Sequence, residues 1–186
     1  MKTYKVYDSA IEKEHCNNII KFIKDLDLNN SKINEGEGDV VNEEKRQSQT
    51  AFLNSKEFVD IFSLYTGFAK EECMWNYNIT NYDTPQVSIY SKNDKYTWHH
   101  DMLPDSDGLV RKLSVCITLN DNFKGGDFQI QKFVSPVEKK RFTTVKEMRN
   151  AGSIIVFPSF MWHQITPVKY GDRYSIVCWY KGPQFM

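Results

Sequence analysis

The sequence predicts an α+β chain whose N-terminal helices support an all-β body of antiparallel barrel or jelly-roll type. Three observations carry that expectation. Two apolar stripes of helical period occur before residue 66, and the period changes after "NYDTP". Six short β-branched or aromatic runs bounded by Gly, Pro, Asn and Asp then follow. A chain of 186 residues suits one domain over 1–186, with helical support at about 8–66 and the β core at about 84–182.

Each element has a local reason. Ser9-x-x-Glu12 reads as a capping box, and Ile11, Ile19, Ile20, Ile23 and Leu26 follow as a helical stripe. Asn29 to Thr50 is polar and charged and reads as a long loop or irregular hairpin; a lid and a plain surface loop are both open readings. A second helix, roughly Ser55 to Tyr65, puts Phe58, Ile61, Phe62 and Tyr65 on one side. The strand candidates are "QVSIYS", "KLSVCITLN", "GGDFQIQKF", "GSIIVFP", "WHQITPV" and "RYSIVCWY". "GGDF" leads into a strand rather than a helix, so it is no phosphate loop.

Composition narrows the function classes. Aromatic content of 14% and hydrophobic content of 40% are globular values. Lysine plus arginine and aspartate plus glutamate are 24 each, for a formal charge of zero. That balance argues against a nucleic-acid partner, which usually draws a basic excess. Cys16, Cys73, Cys116 and Cys178 are scattered without metal spacing and are expected as buried thiols. The N-terminus has no h-region and no apolar run reaches membrane length. The expectation is a cytoplasmic protein (host cytoplasm if the source is viral) with no membrane partner.

The chemistry gathers in "YTWHHD". On an extended chain residues i and i+2 face one way, so His99 and Asp101 can reach one metal while His100 points elsewhere. His163 opens a later strand-like run. Two imidazoles and one carboxylate form the facial set of non-haem Fe(II) oxygenases. Arg173 opens "RYSIVCWY", where alternation puts Arg173, Ser175, Val177 and Trp179 on one face. An arginine at the inner end of a barrel strand requires an anionic partner, and a dicarboxylate would supply one through a bidentate pair. Thr118 alternates away from Val115, Ile117 and Leu119, on the side of Ser114 and Cys116, and so can face a polar cavity.

These residues reach a family. "YSKNDKYTWHHD", "LSVCITLND", "GGDF", "AGSIIVFPSFMWHQITPV" and "GDRYSIVCWY", in that order, resemble the 2-oxoglutarate- and Fe(II)-dependent oxygenases, and within them the prolyl 4-hydroxylase branch. The likeness covers about Val87 to Tyr180. It implies a double-stranded β-helix, the jelly-roll or cupin-like core, with N-terminal helices packed on one sheet. It also implies iron bound by His99, Asp101 and His163, with no catalytic group beyond those ligands. Arg173 would pair with the distal carboxylate of 2-oxoglutarate, assisted by Thr118 and Ser175, and Tyr90 would hydrogen-bond the co-substrate near the metal. Tyr96 and Trp179 would line the substrate side, whereas Trp98, Trp162 and Trp179 are all expected chiefly in core packing. The implied co-substrates are 2-oxoglutarate and dioxygen, with ascorbate as reductant.

Departures from the branch are informative. Many members carry a glycine where this chain reads "SKND", so Asn93 and Asp94 must make that turn. Collagen-type enzymes place lysine where Arg173 stands, and halogenating members lack the carboxylate that Asp101 supplies. The implied reaction is hydroxylation of a C–H bond, first of a prolyl residue in a protein or peptide. A free amino acid or other small molecule is the alternative substrate, and a non-catalytic jelly-roll binding protein the alternative class.

Overall fold

The structure is a computed structural model that describes residues 2–34, 39–104, 108–132 and 141–184. In chain order they form β1 (Lys5–Tyr7), α1 (Lys13–Lys24), β2 (Asn29–Asn30), β3 (Ile33–Asn34) and β4 (Asp39–Val40). Next come β5 (Arg46–Gln47), β6 (Gln49–Phe52), α2 (Lys56–Glu72), β7 (Asn81–Tyr82), β8 (Gln86–Tyr90) and β9 (Lys95–His99). β10 (Leu109–Thr118), β11 (Lys124–Gly125), β12 (Phe128–Gln131) and β13 (Phe142–Thr144) precede a short 3-10 turn, Lys146–Arg149. β14 (Ile154–Pro158), β15 (His163–Ile165), β16 (Val168–Tyr170) and β17 (Arg173–Pro183) complete the order.

Two antiparallel sheets dominate. The major one runs β1-β14-β10-β17-β8-β6-β2, with β7 also on β17; the minor one runs β13-β12-β15-β9-β5. Strand alternation divides the apolar residues between two cores. Leu113, Val115, Ile117, Ile154, Val156, Ile176 and Cys178 face the helices, meeting Cys16, Ile19 and Ile23 of α1 and Phe58, Phe62 and Ala69 of α2. The intervening residues Cys116, Ile155 and Phe157 face Phe128, Ile130 and Ile165 of the minor sheet. This is the jelly-roll body with helices on one sheet that the sequence predicts.

Several local readings change. Glu12, not Ser9, occupies the N-cap of α1, and no side chain caps it. Asp8, Ser9 and Ser153 are instead drawn into tertiary contacts: Ser153 Oγ donates to Asp8 (2.9 Å) and accepts from the Ser9 N–H (3.0 Å). α2 runs past Tyr65 to Glu72 because Phe62, Thr66 and Ala69 prolong its buried stripe; that packing outweighs the cost of about 1 kcal/mol for Gly67 inside a helix. The polar stretch from Asn29 onward is not one excursion. β2 and β6 extend the major sheet and β5 edges the minor sheet, so the hairpin reading describes it better than a free lid; 35–38 lie outside the described residues. All four cysteines are buried and free.

Two backbone features position the site. Asn93 adopts φ +75° in the turn between β8 and β9, where Asp94 accepts from the Ser91 N–H at 2.9 Å. Gly126, at φ +60°, lies where a Cβ would come within 3.2 Å of Arg173 Cδ and 3.0 Å of Val168 Cγ2, so "GGDF" lets the chain cross close over Arg173.

Phe62 is fully buried between α2 and the major sheet. Phe62→Ala is expected to cost about 3–5 kcal/mol in denaturant unfolding, and a loss below about 1 kcal/mol would contradict this packing.

Candidate metal centre

β9 and β15 pair so that His99 lies directly opposite His163. The register slips by one residue before Ile165 meets Tyr96, so β9 carries one residue more than its partner there. That bulge turns Tyr96 and His99, three apart, to the same face, and their rings stack at 3.4 Å and 11°. Asp101 lies just beyond β9. Its N–H donates to the Ser159 carbonyl (2.8 Å), as does that of Met102 (3.0 Å), which clips the extended chain to the loop before His163.

The donors converge. His99 Nε2 stands 3.7 Å from Asp101 Oδ1, and His163 Nε2 stands 3.6 Å from Oδ2. One ligand atom from each of the three residues lies within 4.8 Å of the other two, and no second group of three metal-type side chains occurs among the described residues. Each imidazole is oriented from behind: His99 Nδ1 bonds the Thr97 carbonyl at 2.7 Å and His163 Nδ1 the Met161 carbonyl at 3.0 Å. A carbonyl can only accept, so both Nδ1 atoms carry a proton and both Nε2 atoms, the positions left to coordinate a metal, face the carboxylate. Ser114 donates to Asp101 Oδ2 at 2.8 Å and lies 2.9 Å from the Ser159 hydroxyl. His163 is further packed by Phe157 and Phe128, at 4.7 and 5.6 Å between ring centres.

The electrostatics suit a cation. Burial holds His99 well below its usual pKa, reinforced by His163, so its Nε2 is an unprotonated donor. Burial alone would raise Asp101, but the charge that the His163 and His99 rings carry when protonated, the Arg111 guanidinium and the Trp179 N–H outweigh it and hold the carboxyl at about 2. The donor set, its tautomers and its anchoring therefore fit a divalent first-row metal.

Arg173, at the start of β17, is fully buried and makes no ion pair among the described residues. Nη1 donates to Ser175 (2.9 Å) and Nη2 to Thr118 (3.1 Å), while Nε has no hydrogen-bond partner. The Thr118 hydroxyl is itself committed, donating to the Met148 carbonyl at 3.0 Å. Tyr90, buried and paired with Arg173 across β8 and β17, sets its ring 5.9 Å from the guanidinium. Arg173, Ser175, Tyr90, Tyr96, Trp179 and the three metal-type residues all line one cavity of about 730 Å³; Thr118 lies behind Arg173 instead. His100 also borders this cavity but turns from the cluster, edge-on to Trp162. The buried Arg173 Nε and His100 Nδ1 have no hydrogen-bond partner among the described residues, whereas the Trp179 indole N–H is turned toward Asp101. An unsatisfied buried polar atom is costly, and Arg173 and His100 border one chamber.

The tryptophans divide. Trp179 is buried under the Arg111 guanidinium, 4.0 Å away. Trp98 and Trp162, expected in core packing, are instead 37% and 45% exposed, because they alternate outward from His99 and His163. Sequence reasoning passed over Arg46, Arg111 and the Ser114–Ser159 pair. Only Ser114 carried a signal, through its place on the inward face of β10; Arg46 sits among polar residues like any surface arginine.

A family model described as the 2OG-Fe(II) oxygenase superfamily matches residues 85–181, which takes in all four of His99, Asp101, His163 and Arg173. A PKHD-type hydroxylase of Alteromonas mediterranea is 28% identical over 102 residues, spanning 51% of this chain and 42% of the relative. Another from Synechococcus sp. is 34% identical over 95 residues, spanning 50% and 39%. The chain thus matches about two-fifths of the length of these curated relatives. The fold is that of a Pseudomonas putida prolyl-4-hydroxylase (TM-score 0.72, 15% identity, covering 98% of this chain and 94% of that one). It is also that of a Trichoplax adhaerens prolyl hydroxylase, solved with a hypoxia inducible factor peptide fragment (TM-score 0.71, 20% identity, 96% and 83%).

Ser114→Ala removes the hydroxyl that fixes Asp101. It is expected to weaken Mn(II) or Co(II) binding by roughly 10- to 100-fold in calorimetric titration, and unchanged affinity would show that Asp101 needs no such support.

Proposed function

The chain belongs to the 2OG-Fe(II) oxygenase superfamily, and from that premise we propose that it is a 2-oxoglutarate-dependent Fe(II) dioxygenase hydroxylating a C–H bond. The substrate we propose is a prolyl residue in a protein or peptide. The single observation that carries the activity is the shared chamber: His99, Asp101 and His163 at one point of it, and at another a fully buried Arg173 with no anionic partner among the described residues. The substrate assignment draws on the relatives, which are PKHD-type hydroxylases, and on a fold held in common with prolyl hydroxylases.

In this reading His99, Asp101 and His163 hold Fe(II), and the metal, when bound, supplies the oxidative chemistry with dioxygen and 2-oxoglutarate. The protein's own contribution is placement. Arg173, steadied by Thr118 and Ser175, receives the distal carboxylate through charge-assisted hydrogen bonds. Tyr90 walls the same end of the chamber. Tyr96, stacked on His99, and Trp179, under Arg111, form the wall toward which the substrate is presented. Phe128, Phe157 and Ile165 keep the metal end apolar and exclude water. No nucleophile or acid–base pair is needed.

Under anaerobic conditions, Fe(II) with 2-oxoglutarate is expected to give a weak visible charge-transfer band, and its absence from loaded protein would defeat the cofactor assignment. Succinate release should vanish in His99→Ala and largely survive in His100→Ala; the opposite pattern would mean the wrong histidine has been assigned. Arg173→Gln should raise the KM for 2-oxoglutarate on the order of 10- to 100-fold, the worth of a charge-assisted pair. A variant affecting kcat alone would exclude the anchoring role.

A further inference from the structure

We propose that the primary substrate presents a carboxylate and that Arg46 receives it. The inference rests on the oxygenase reading and adds the chemical class of the second ligand. Its first support is a second buried cation in the same chamber. Arg46, on β5, is 7% exposed and lines the cavity. Its Nε donates to Ser48 (3.1 Å), and its Nη2 donates to Ser88 (3.1 Å) and Gln86 (3.3 Å). All three acceptors are neutral, and Arg46 has no carboxylate partner among the described residues. Taking a guanidinium out of water without a counter-charge is expensive, and neutral acceptors offset only part of that cost. Arg173 presents the same imbalance, but one diacid cannot answer for both. Arg173 is met by the co-substrate; Arg46 is left for the substrate.

The placement is that of a substrate contact. The Arg46 guanidinium lies over the Tyr96 ring at 4.8 Å, and the other side of Tyr96 is occupied by His99 at 3.4 Å. An anion at Arg46 therefore sits one aromatic ring away from the metal-type cluster.

The second support is the charge of the cavity wall. The chain as a whole is neutral. With Asp101 and Arg173 assigned to metal and co-substrate, the remaining charged wall residues among the described residues are Lys32, Arg46, Arg111 and Lys181, with the carboxylate Asp83. Asp83 already serves two of these cations, at 2.8 Å from both Arg111 and Lys181. Among the described wall residues, positive side chains thus outnumber negative ones on a protein without net charge, an imbalance that favours an anionic ligand.

The test uses the full chain loaded anaerobically with Fe(II) and 2-oxoglutarate, and reads binding by tryptophan fluorescence and calorimetry. Two matched pairs are titrated: acetyl-Gly-Glu-Pro-Gly-amide beside its Gln analogue, and acetyl-L-proline beside acetyl-L-prolinamide. The first pair carries the carboxylate on a peptide side chain and the second at the α-carboxyl, so together they identify its source. In at least one pair the carboxylate member should bind about tenfold tighter or more, with affinity falling as salt rises. That preference should shrink below about twofold in Arg46→Gln and persist in Arg46→Lys, while the neutral member binds both variants alike. Thermal melts of both variants establish that they fold. Equal affinity within both pairs, no binding by any of the four, or a preference that survives Arg46→Gln would each overturn the inference. The charge-transfer band is recorded in the same samples. If it is present without carboxylate preference, only this inference falls; if it is absent, the oxygenase reading falls and the inference with it.

Discussion

The register of two short strands sets everything else in this chain. β15 must meet β9 so that His163 lies opposite His99, and a slip of one residue would send one imidazole to the far face of the sheet. Three features hold the register at that point. The bulge in β9 consumes one residue and brings Tyr96 under His99; the Ser159 carbonyl takes both the Asp101 and Met102 N–H groups; and Ile130 closes the other side of His163 across β12. Each imidazole is then locked by a carbonyl two residues earlier, Thr97 for His99 and Met161 for His163. The repetition of that contact turns both Nε2 atoms inward.

Charge burial follows from the same scaffold. Asp101 is buried beside two imidazoles and hydrogen-bonded by Ser114, whose hydroxyl also meets Ser159. Its negative charge is thus solvated by the protein. Arg173 is treated differently: its Nη atoms meet hydroxyls, but among the described residues no carboxylate pairs with it and Nε is left over. A fold selected for stability alone would do better with an apolar side chain at that position. The guanidinium is kept at a cost to the folded chain, and Gly126 is kept beside it so that the backbone can pass within contact distance of its stem. That imbalance of charge supports the proposal that Arg173 receives an anion.

How much of this was legible in the sequence depends on the range of the interaction. His99, Asp101, His163 and Arg173 could be read because strand period and chain order are local properties, and local periodicity survives folding. The same period distinguished His100, which does turn away toward Trp162. The capping box failed because Asp8 and Ser9 prefer Ser153 and Asn150, partners more than 100 residues away. The length of α2 was underestimated because only the sheet beneath it makes Thr66 and Ala69 part of a buried stripe. Trp98 and Trp162 were misjudged for a related reason: aromatic rings beside ligands look like core, yet alternation points them outward. Arg46 was illegible altogether. Nothing in "EEKRQSQT" separates a guanidinium stacked on a buried tyrosine from one in water, since its acceptors Gln86 and Ser88 lie on a strand some 40 residues later.

The two faces of the major sheet explain why so small a chain can carry so polar an interior. On β10 and β17, every residue turned toward α1 and α2 is apolar through the central stretch: Leu113, Val115 and Ile117, then Ile176, Cys178 and Tyr180. On the other face the polar residues support the site, from Ser114 beneath Asp101 to Thr118 and Ser175 at Arg173, while Cys116 and Val177 between them pack against the minor sheet. Hydrophobic burial under the helices offsets the desolvation of the groups behind it. The helices therefore do more than cover an edge. Without an apolar core on the outer face of the major sheet, the inner face could not hold Asp101, Arg173 and Arg46 away from water, and the imidazole pair would have no rigid wall to stand against.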